Sequence, residues 1–300
     1  MALNPSPGVV RAGDLLALLA ARPTHAFSAS ELARLADIPR ATCNSLLLGL
    51  AVNGFVQRDA DLRYELGPTC IVLGDAARVA NPALRAAAVQ AEGLARAQGG
   101  VTAVSMRDGD ETRVAHVFDF GPPFGMRPRA GDSIRLVPPF GASFVAWDDD
   151  DGVRDWLARV EPPLTADELD RYRHALEVVR HRGYSVTVAS DRQASLAAAL
   201  ERLAREPDLD DARANRDRAM SEIAHGDYLA AEVDPEGTAR LTQISAPVFE
   251  PGGRATASIM LLGPSHELTA EEIAGLGELV RAAADRATAD AGGTPPRGDR

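Results

Sequence analysis

The chain has 300 residues, 45% of them hydrophobic, and a formal net charge of −11, with every one of its 32 positive charges an arginine. This length suggests two domains, the apolar fraction is ample for packed cores, and no apolar run is long enough to span a membrane. The acidic balance argues against a protein that coats nucleic acid over its whole surface. The opening residues, MALNPSPGVVRAGD, lack the basic and apolar regions of a signal peptide. The two cysteines, Cys43 and Cys70, form neither a metal-ligand spacing nor a disulfide framework. A cytoplasmic location, with no membrane partner, no metal and no cofactor, is therefore expected.

The first predicted helix covers 9–21, where Val10, Leu15, Leu18 and Leu19 can share a face. Arg22-Pro23-Thr24 ends it. Ser28 and Glu31 then form a capping box, and Phe27 and Leu32 have the spacing of a hydrophobic staple. They start a short helix over 29–36. Asp37-Ile38 breaks it, and Pro39 suits the first turn of the next helix, where its missing N–H would be unpaired anyway. Cys43, Leu46, Leu47 and Leu50 give that helix one apolar face. Asn53-Gly54 closes it, with glycine as the left-handed cap. Two alternating runs, 55–58 and 63–66, flank an acidic turn at Asp59–Asp61.

Helix, turn, helix and hairpin outline a winged helix-turn-helix, whose second helix of the pair would enter the DNA major groove. The same outline also serves as a plain packing unit. From Met1 to Leu66, Arg11, Arg22, Arg34, Arg40, Arg58 and Arg63 are balanced by Asp14, Glu31, Asp37, Asp59, Asp61 and Glu65. The module is thus neutral, a weak footprint for phosphate binding.

Residues 69–98 read as Ala-rich linker helix, with Asn81-Pro82 as punctuation before the helix that opens the second domain, and Gly99-Gly100 ends the stretch. VTAVSM and TRVAHVF predict a hairpin around Asp108-Gly109. A passage rich in proline and glycine follows, and Gly141-Ala142-Ser143 predicts a tight entry into a short helix. Asp148–Asp151 does not fit a calcium loop and reads as a solvated helix start. A long amphipathic helix is predicted over 166–182, with Leu169, Tyr172, Leu176 and Val179 on one side. A strand follows, then helix-prone, highly charged sequence over 189–238. RLTQISAPVF and RATASIMLLG form a second hairpin before a helix that ends near 289. The predicted class is mixed α+β, with a largely antiparallel sheet covered by helices.

Several segments together resemble the isocitrate-lyase-regulator (IclR) family of bacterial transcription regulators. They are SASELARLADIPRATCNSLLLGLAVNGFV with the wing ending YELGP, GASFVAW, VVRHRGYSV, and ISAPVFEPGGRATASIMLLGP followed by LTAEEIAGLGELV. The resemblance runs over nearly the whole chain except 189–238. It implies a winged helix-turn-helix over 1–68, a linker over 69–98 and a GAF-like effector-binding domain over 99–290. This chain departs from the family in a helical insertion at about 189–238, longer than the loop usual there, and its polar end over 291–300 reads as a disordered tail. It also implies a homodimer or tetramer that binds double-stranded DNA at a palindromic or pseudo-palindromic operator, as a repressor or an activator.

The outward positions of the expected recognition helix are Ala41, Thr42, Asn44, Ser45 and Leu48, beside Arg40; Arg58 and Arg63 of the wing complete the candidate DNA contacts. Family members often carry a basic residue where Ser45 stands. By the resemblance, the backbone at Gly141-Ala142 meets a ligand carboxylate, and Gln243, Met260 and Leu262 fall where relatives place cysteine or serine. Met260 and Leu262 share a strand face. Lining the pocket, they would favour a larger, fairly apolar organic ligand, aromatic or acyl; as core residues they would carry no such meaning. Arg127, Arg129 and Arg135 are expected near the pocket mouth, either pairing with a carboxylate or simply solvated.

Two rival readings stand beside the regulator. An enzyme is disfavoured: the six histidines form no ligand spacing, and no Gly-x-Ser-x-Gly elbow or phosphate-binding glycine loop occurs. The other is an IclR-like ligand-binding or interaction protein whose helix-turn-helix no longer binds DNA.

Overall fold

A computed structural model describes residues 5–122, 128–189, 222–226, 229–230 and 234–296. The chain divides into two compact units, Met1–Ala80 and Asn81–Arg300. The first contains helices α1 (Pro7–Ala21), α2 (Ala29–Leu35) and α3 (Arg40–Val52), strands β1 (Val56–Arg58) and β2 (Tyr64–Leu66), and helix α4 (Pro68–Val79). Its core gathers Leu15, Leu19, Phe27, Leu32, Cys43, Leu47, Val56 and Tyr64. The capping box at α2 is formed as the sequence predicts: the Ser28 N–H donates to Glu31 Oε2 at 2.7 Å and the Glu31 N–H to Ser28 Oγ at 3.2 Å. Phe27 and Leu32 are both buried in this core.

Three details differ from the sequence reading. Val10 is exposed, because α1 buries only Leu15 and Leu19. Pro39 precedes α3 at its N-cap and is not in the first turn. The wing also gains a third segment, since Phe27 and Tyr64 exchange both backbone hydrogen bonds, at 2.9 and 2.7 Å. Gly54 has φ +70°, and Gly67 lies so close to it that a Cβ on Gly67 would stand 2.2 Å from the Gly54 carbonyl oxygen. The wing can therefore hand the chain to α4 only through glycine at this point.

The second unit opens with α5 (Pro82–Gln98), whose N-cap Asn81 accepts from the Leu84 N–H at 2.9 Å. It continues with β3 (Val101–Asp108), β4 (Glu111–Asp119), β5 (Ser133–Arg135), α6 (Ala142–Val145), α7 (Asp150–Leu157), α8 (Ala166–Arg182), β6 (Ser185–Val188), β7 (Thr238–Ala239), β8 (Leu241–Phe249), β9 (Ala255–Leu262), β10 (Leu268–Thr269) and α9 (Ala270–Asp290). Strands β5-β4-β3-β9-β8-β6 make one sheet with every neighbouring pair antiparallel. On one face, Val104, Ile244, Ala246, Ala257, Ile259 and Leu261 pack against Ala87 and Ala91 of α5 and Val280, Ala283 and Ala284 of α9. Alanine lets these two helices lie close to the sheet and to each other. The other face meets α6, whose Phe144 joins Trp156, Tyr172 and Leu176 of α7 and α8 in a second core.

Asp148 is not part of a solvated helix start. Arg107 Nη1 donates to both its oxygens, at 2.8 and 2.9 Å, and Asp149 caps α7 instead. The helices predicted within 189–238 lie outside the described residues, apart from 222–224. Both ends of that stretch are anchored. The Ala189 N–H donates to the Arg240 carbonyl at 2.7 Å, Thr187 bridges Leu229, and the Ala230 N–H reaches the Val186 carbonyl at 3.0 Å. Tyr172 donates its hydroxyl to the Ala224 carbonyl at 2.7 Å. After α9 the chain stays attached through the Gly293 N–H, which donates to the Thr288 carbonyl at 2.8 Å, so the expected free tail does not begin at 291.

Glu168 links the α8 capping box to His225, 2.9 Å from its Nδ1. The Thr165 backbone N–H, followed by His225, holds the Glu168 carboxyl down at about 2, below its ordinary 4.5. A depressed carboxylate stabilises the fold fully above its unfolded pKa and loses that contribution as pH falls toward the folded value. The stability of the wild type relative to a Glu168→Gln variant is therefore expected to shrink between pH 4.5 and pH 2. Paired chemical denaturations across that range check this.

Candidate functional site

In the first unit, Cys43 and Leu47 point α3 into the core and so fix which face it turns outward. Arg40, Ala41, Asn44, Ser45 and Leu48 are exposed, and Thr42 is half-buried. Leu48 keeps 64% of its surface accessible although it is a large aliphatic residue. No side-chain partner occupies Arg40 or Asn44 among the described residues.

The two wing arginines behave differently from each other. Arg58 is exposed, lies 5.4 Å from the Tyr64 ring centroid and donates through Nε to the Leu62 carbonyl at 3.3 Å. Arg63 is engaged inside the module: its Nε donates to the Ala26 carbonyl at 2.6 Å and its Nη2 to Glu31 at 2.9 Å. Glu31 is thereby held below the usual carboxylate range, first by the Ser28 backbone N–H and hydroxyl and further by Arg63. Arg63 thus braces α2 against the wing and is not a free cation for phosphate.

In the second unit, the strand register settles which residues share a face, because directly opposed residues of an antiparallel pair project to the same side. Ser105 opposes Ser258, Ala103 opposes Met260, Ser245 opposes both Met260 and Ser185, and Gln243 opposes both Leu262 and Thr187. Gln243, Met260 and Leu262 therefore lie together on the sheet face turned to α6, opposite the alanine-helix core. All three are half-buried. α6 crosses this face, and the Ser143 hydroxyl bonds that of Ser258 at 3.3 Å. Gly141 enters α6 at φ +81°, where a Cβ would strike the Leu136 side chain at 2.1 Å, and Ala142 is buried.

The arginines divide differently. Arg127 lies outside the described residues. Arg129 is exposed, its backbone N–H bound to Asp132 at 2.7 Å. Arg135 is on the edge strand β5 opposite Glu111, three strands from β9 and about 14 Å across the sheet. The structure does not bring Arg135 to Met260 and Gln243, because strand order cannot be read from chain order.

Sequence reasoning missed the hydroxyl row Ser105, Ser143, Ser185, Ser245 and Ser258, all buried. The available signal was a polar residue at alternate positions in otherwise apolar strands, as in QIS and TASIM. Among the described residues no group of three or more His, Cys, Asp or Glu could hold a metal ion. No helix there is long and apolar enough to cross a membrane.

Residues 8–60 match the profile of the IclR helix-turn-helix domain. The N-terminal module carries an IclR-type helix-turn-helix. Solved structures extend the likeness along the chain. An IclR transcriptional regulator from Alicyclobacillus acidocaldarius is 20% identical, with 96% of this chain and 100% of that one covered and a TM-score of 0.66. HmgR of Pseudomonas aeruginosa is 21% identical over 94% of this chain and 98% of its own, with a TM-score of 0.62. An IclR homolog from Microbacterium hydrocarbonoxydans, solved in complex with 4-hydroxybenzoate, is 16% identical over 95% of this chain and 98% of its own, with a TM-score of 0.59. The chain thus has the IclR fold from its helix-turn-helix to its antiparallel sheet. No curated protein matches it in sequence.

Within this IclR module Arg63 is expected to act on stability. Arg63→Met should cost about 1–2 kcal/mol by removing charge-assisted hydrogen bonds at a partly exposed site. It should leave the salt dependence of any DNA binding unchanged. Denaturant unfolding together with binding titrations at several salt concentrations checks both halves.

Proposed function

We propose that this protein is an effector-responsive transcriptional regulator that binds operator DNA through α3 and a small, fairly apolar organic ligand on the α6 face of its sheet. The observation that carries the proposal is the IclR helix-turn-helix match joined to an α3 whose outward side chains are unengaged. The ligand acts by population shift, binding one arrangement of the regulator better than another and so changing its affinity for DNA. A cytoplasmic location follows from this role.

Few cations serve the DNA. Arg11, Arg40 and Arg58 have no acidic partner among the described residues, whereas Arg63 and Arg78 are paired to Glu31 and Asp75. A dimer would then neutralise about six phosphates through them, giving a slope of log K against log salt of about −5. Genomic fragments selected by the full-length protein at low salt should contain a palindromic or pseudo-palindromic site with such a shallow slope. Arg40→Ala should flatten the slope by about one per protomer. This weak electrostatic footing is also what favours a second reading, an interaction protein with a helix-turn-helix that has lost DNA binding. That reading gains if no duplex is enriched at any salt.

For the ligand, Met260 and Leu262 supply apolar surface, and Gln243 with the serine row supplies polar contacts. The 4-hydroxybenzoate held by the Microbacterium homolog is of this type, an aromatic ring with polar ends. Benzoate or 4-hydroxybenzoate should raise the melting temperature more than pyruvate does. The paired Met260→Ser and Leu262→Ser substitutions should reverse that order. Equal shifts for both ligand classes in the wild type would remove the apolar-ligand reading.

A homo-oligomer is part of the same proposal. α4 has no buried residue and exposes Ile71, Val72 and Leu73, an apolar surface that a second copy would cover. Ile71→Glu should lower the sedimentation coefficient toward that of a monomer; an unchanged coefficient would exclude α4 from the interface.

A further inference from the structure

We infer that α3 reads adenine–thymine pairs, with Asn44 as the adenine reader and Ala41 and Leu48 as the surfaces that meet thymine methyl groups. The inference rests on the DNA-binding reading above and adds the base identity.

The core residues Cys43 and Leu47 set the rotation of α3. Opposite them, Ala41, Asn44, Ser45 and Leu48 recur at i, i+3, i+4 and i+7 and share one exposed face. Seven residues of helix rise about 10 Å, which is about three base-pair steps at 3.4 Å each. The stripe is therefore matched in length to a block of about four base pairs in the major groove, about three of them facing its discriminating side chains.

The chemistry along the stripe is selective. Guanine is read by a cation on O6 and N7, cytosine by a carboxylate on N4, adenine by an amide on N6 and N7, and thymine by apolar contact with its methyl group. α3 has no acidic residue, so it lacks a cytosine reader. Its single cation, Arg40, is its first residue, one turn before Asn44 on the same side, at the N-terminal end of the helix where a phosphate contact is natural. Asn44 is exposed and its amide makes no hydrogen bond among the described residues, so both its donor and its acceptor are available for the bidentate pair with adenine. Leu48 contributes little to the core and presents most of its surface outward, one turn beyond Asn44. Ser45 bonds to any base and discriminates weakly. Adenine and thymine are the bases this set of side chains can tell apart.

The experiment is selection from a random duplex library by the full-length protein, followed by base-analogue substitution at each position of the enriched half-site. The expected site holds about three consecutive A·T pairs. At one adenine, 7-deazaadenine, which lacks the N7 acceptor, should weaken the wild type about tenfold and leave Asn44→Ala at its own affinity. At one thymine, uracil, which lacks the methyl group, should weaken the wild type about fourfold, the value of one buried methyl, and leave Leu48→Ala unchanged. Both side chains are exposed, so the variants retain the fold, which circular dichroism verifies. An enriched site whose block is G·C, or analogues that cost the wild type nothing, would overturn the base assignment while DNA binding stands. Failure to enrich any duplex would overturn both.

Discussion

The strands β3, β9 and β8 must satisfy two environments at once, and the period-two alternation of their side chains is what allows it. One set, running through Val104, Ile259 and Ile244, goes into a dry core against alanine-rich helices. The alternate set, Ser105, Ser258 and Ser245, is small and hydroxylated and lies under α6. A one-residue slip in register would exchange the two sets, putting serine into the apolar core and isoleucine under α6. The same alternation therefore fixes the fold of this unit and the character of the surface beneath α6.

The first unit shows a comparable double use at Glu31. Its carboxylate closes the capping box of α2 and pairs with Arg63 from the wing. Phe27 and Tyr64 add their reciprocal backbone bonds beside it. α2 and the wing are thereby braced together, while α3 is held by its apolar face and by the Cys43 thiol, which donates to the Ala29 carbonyl at 3.6 Å. Its outward side chains pay no part of the cost of folding, which leaves them at liberty to serve a partner. The pairing of Arg63 with Glu31 also removes one cation from those the neutral module could offer a phosphate.

Much of the fold was legible in the sequence because its signals are local. Ser28, Thr165 and Thr269 each announce a helix start with a glutamate three residues later, and all three capping boxes are formed. Gly54 and Gly99 end helices in the left-handed conformation, at the places the sequence marks. The features that escaped depend on residues far apart in the chain. Asp148 meets Arg107 across 41 positions, and Arg63 meets Glu31 across 32. Arg135 lies on the far edge of the sheet for the same reason: composition near a loop says nothing about the order in which strands assemble. The grouping of Gln243, Met260 and Leu262 on one face needed both the period within β9 and its register with β8.

The pinned ends of the 189–238 stretch carry a consequence for how this protein can change over time. Thr187 with Leu229, and Ala189 with Arg240, fix the points where the chain departs from the sheet and returns to it. Between fixed points, altering the length of a chain changes its closure entropy only logarithmically, by about 0.6 kcal/mol for each doubling. That allowance does not extend to 222–226 and 229–230, where Ile223, Ala224 and Leu229 are buried and Tyr172 and Glu168 hold Ala224 and His225. A graft that kept those residues would keep the core beside α8, and one that removed them would open it.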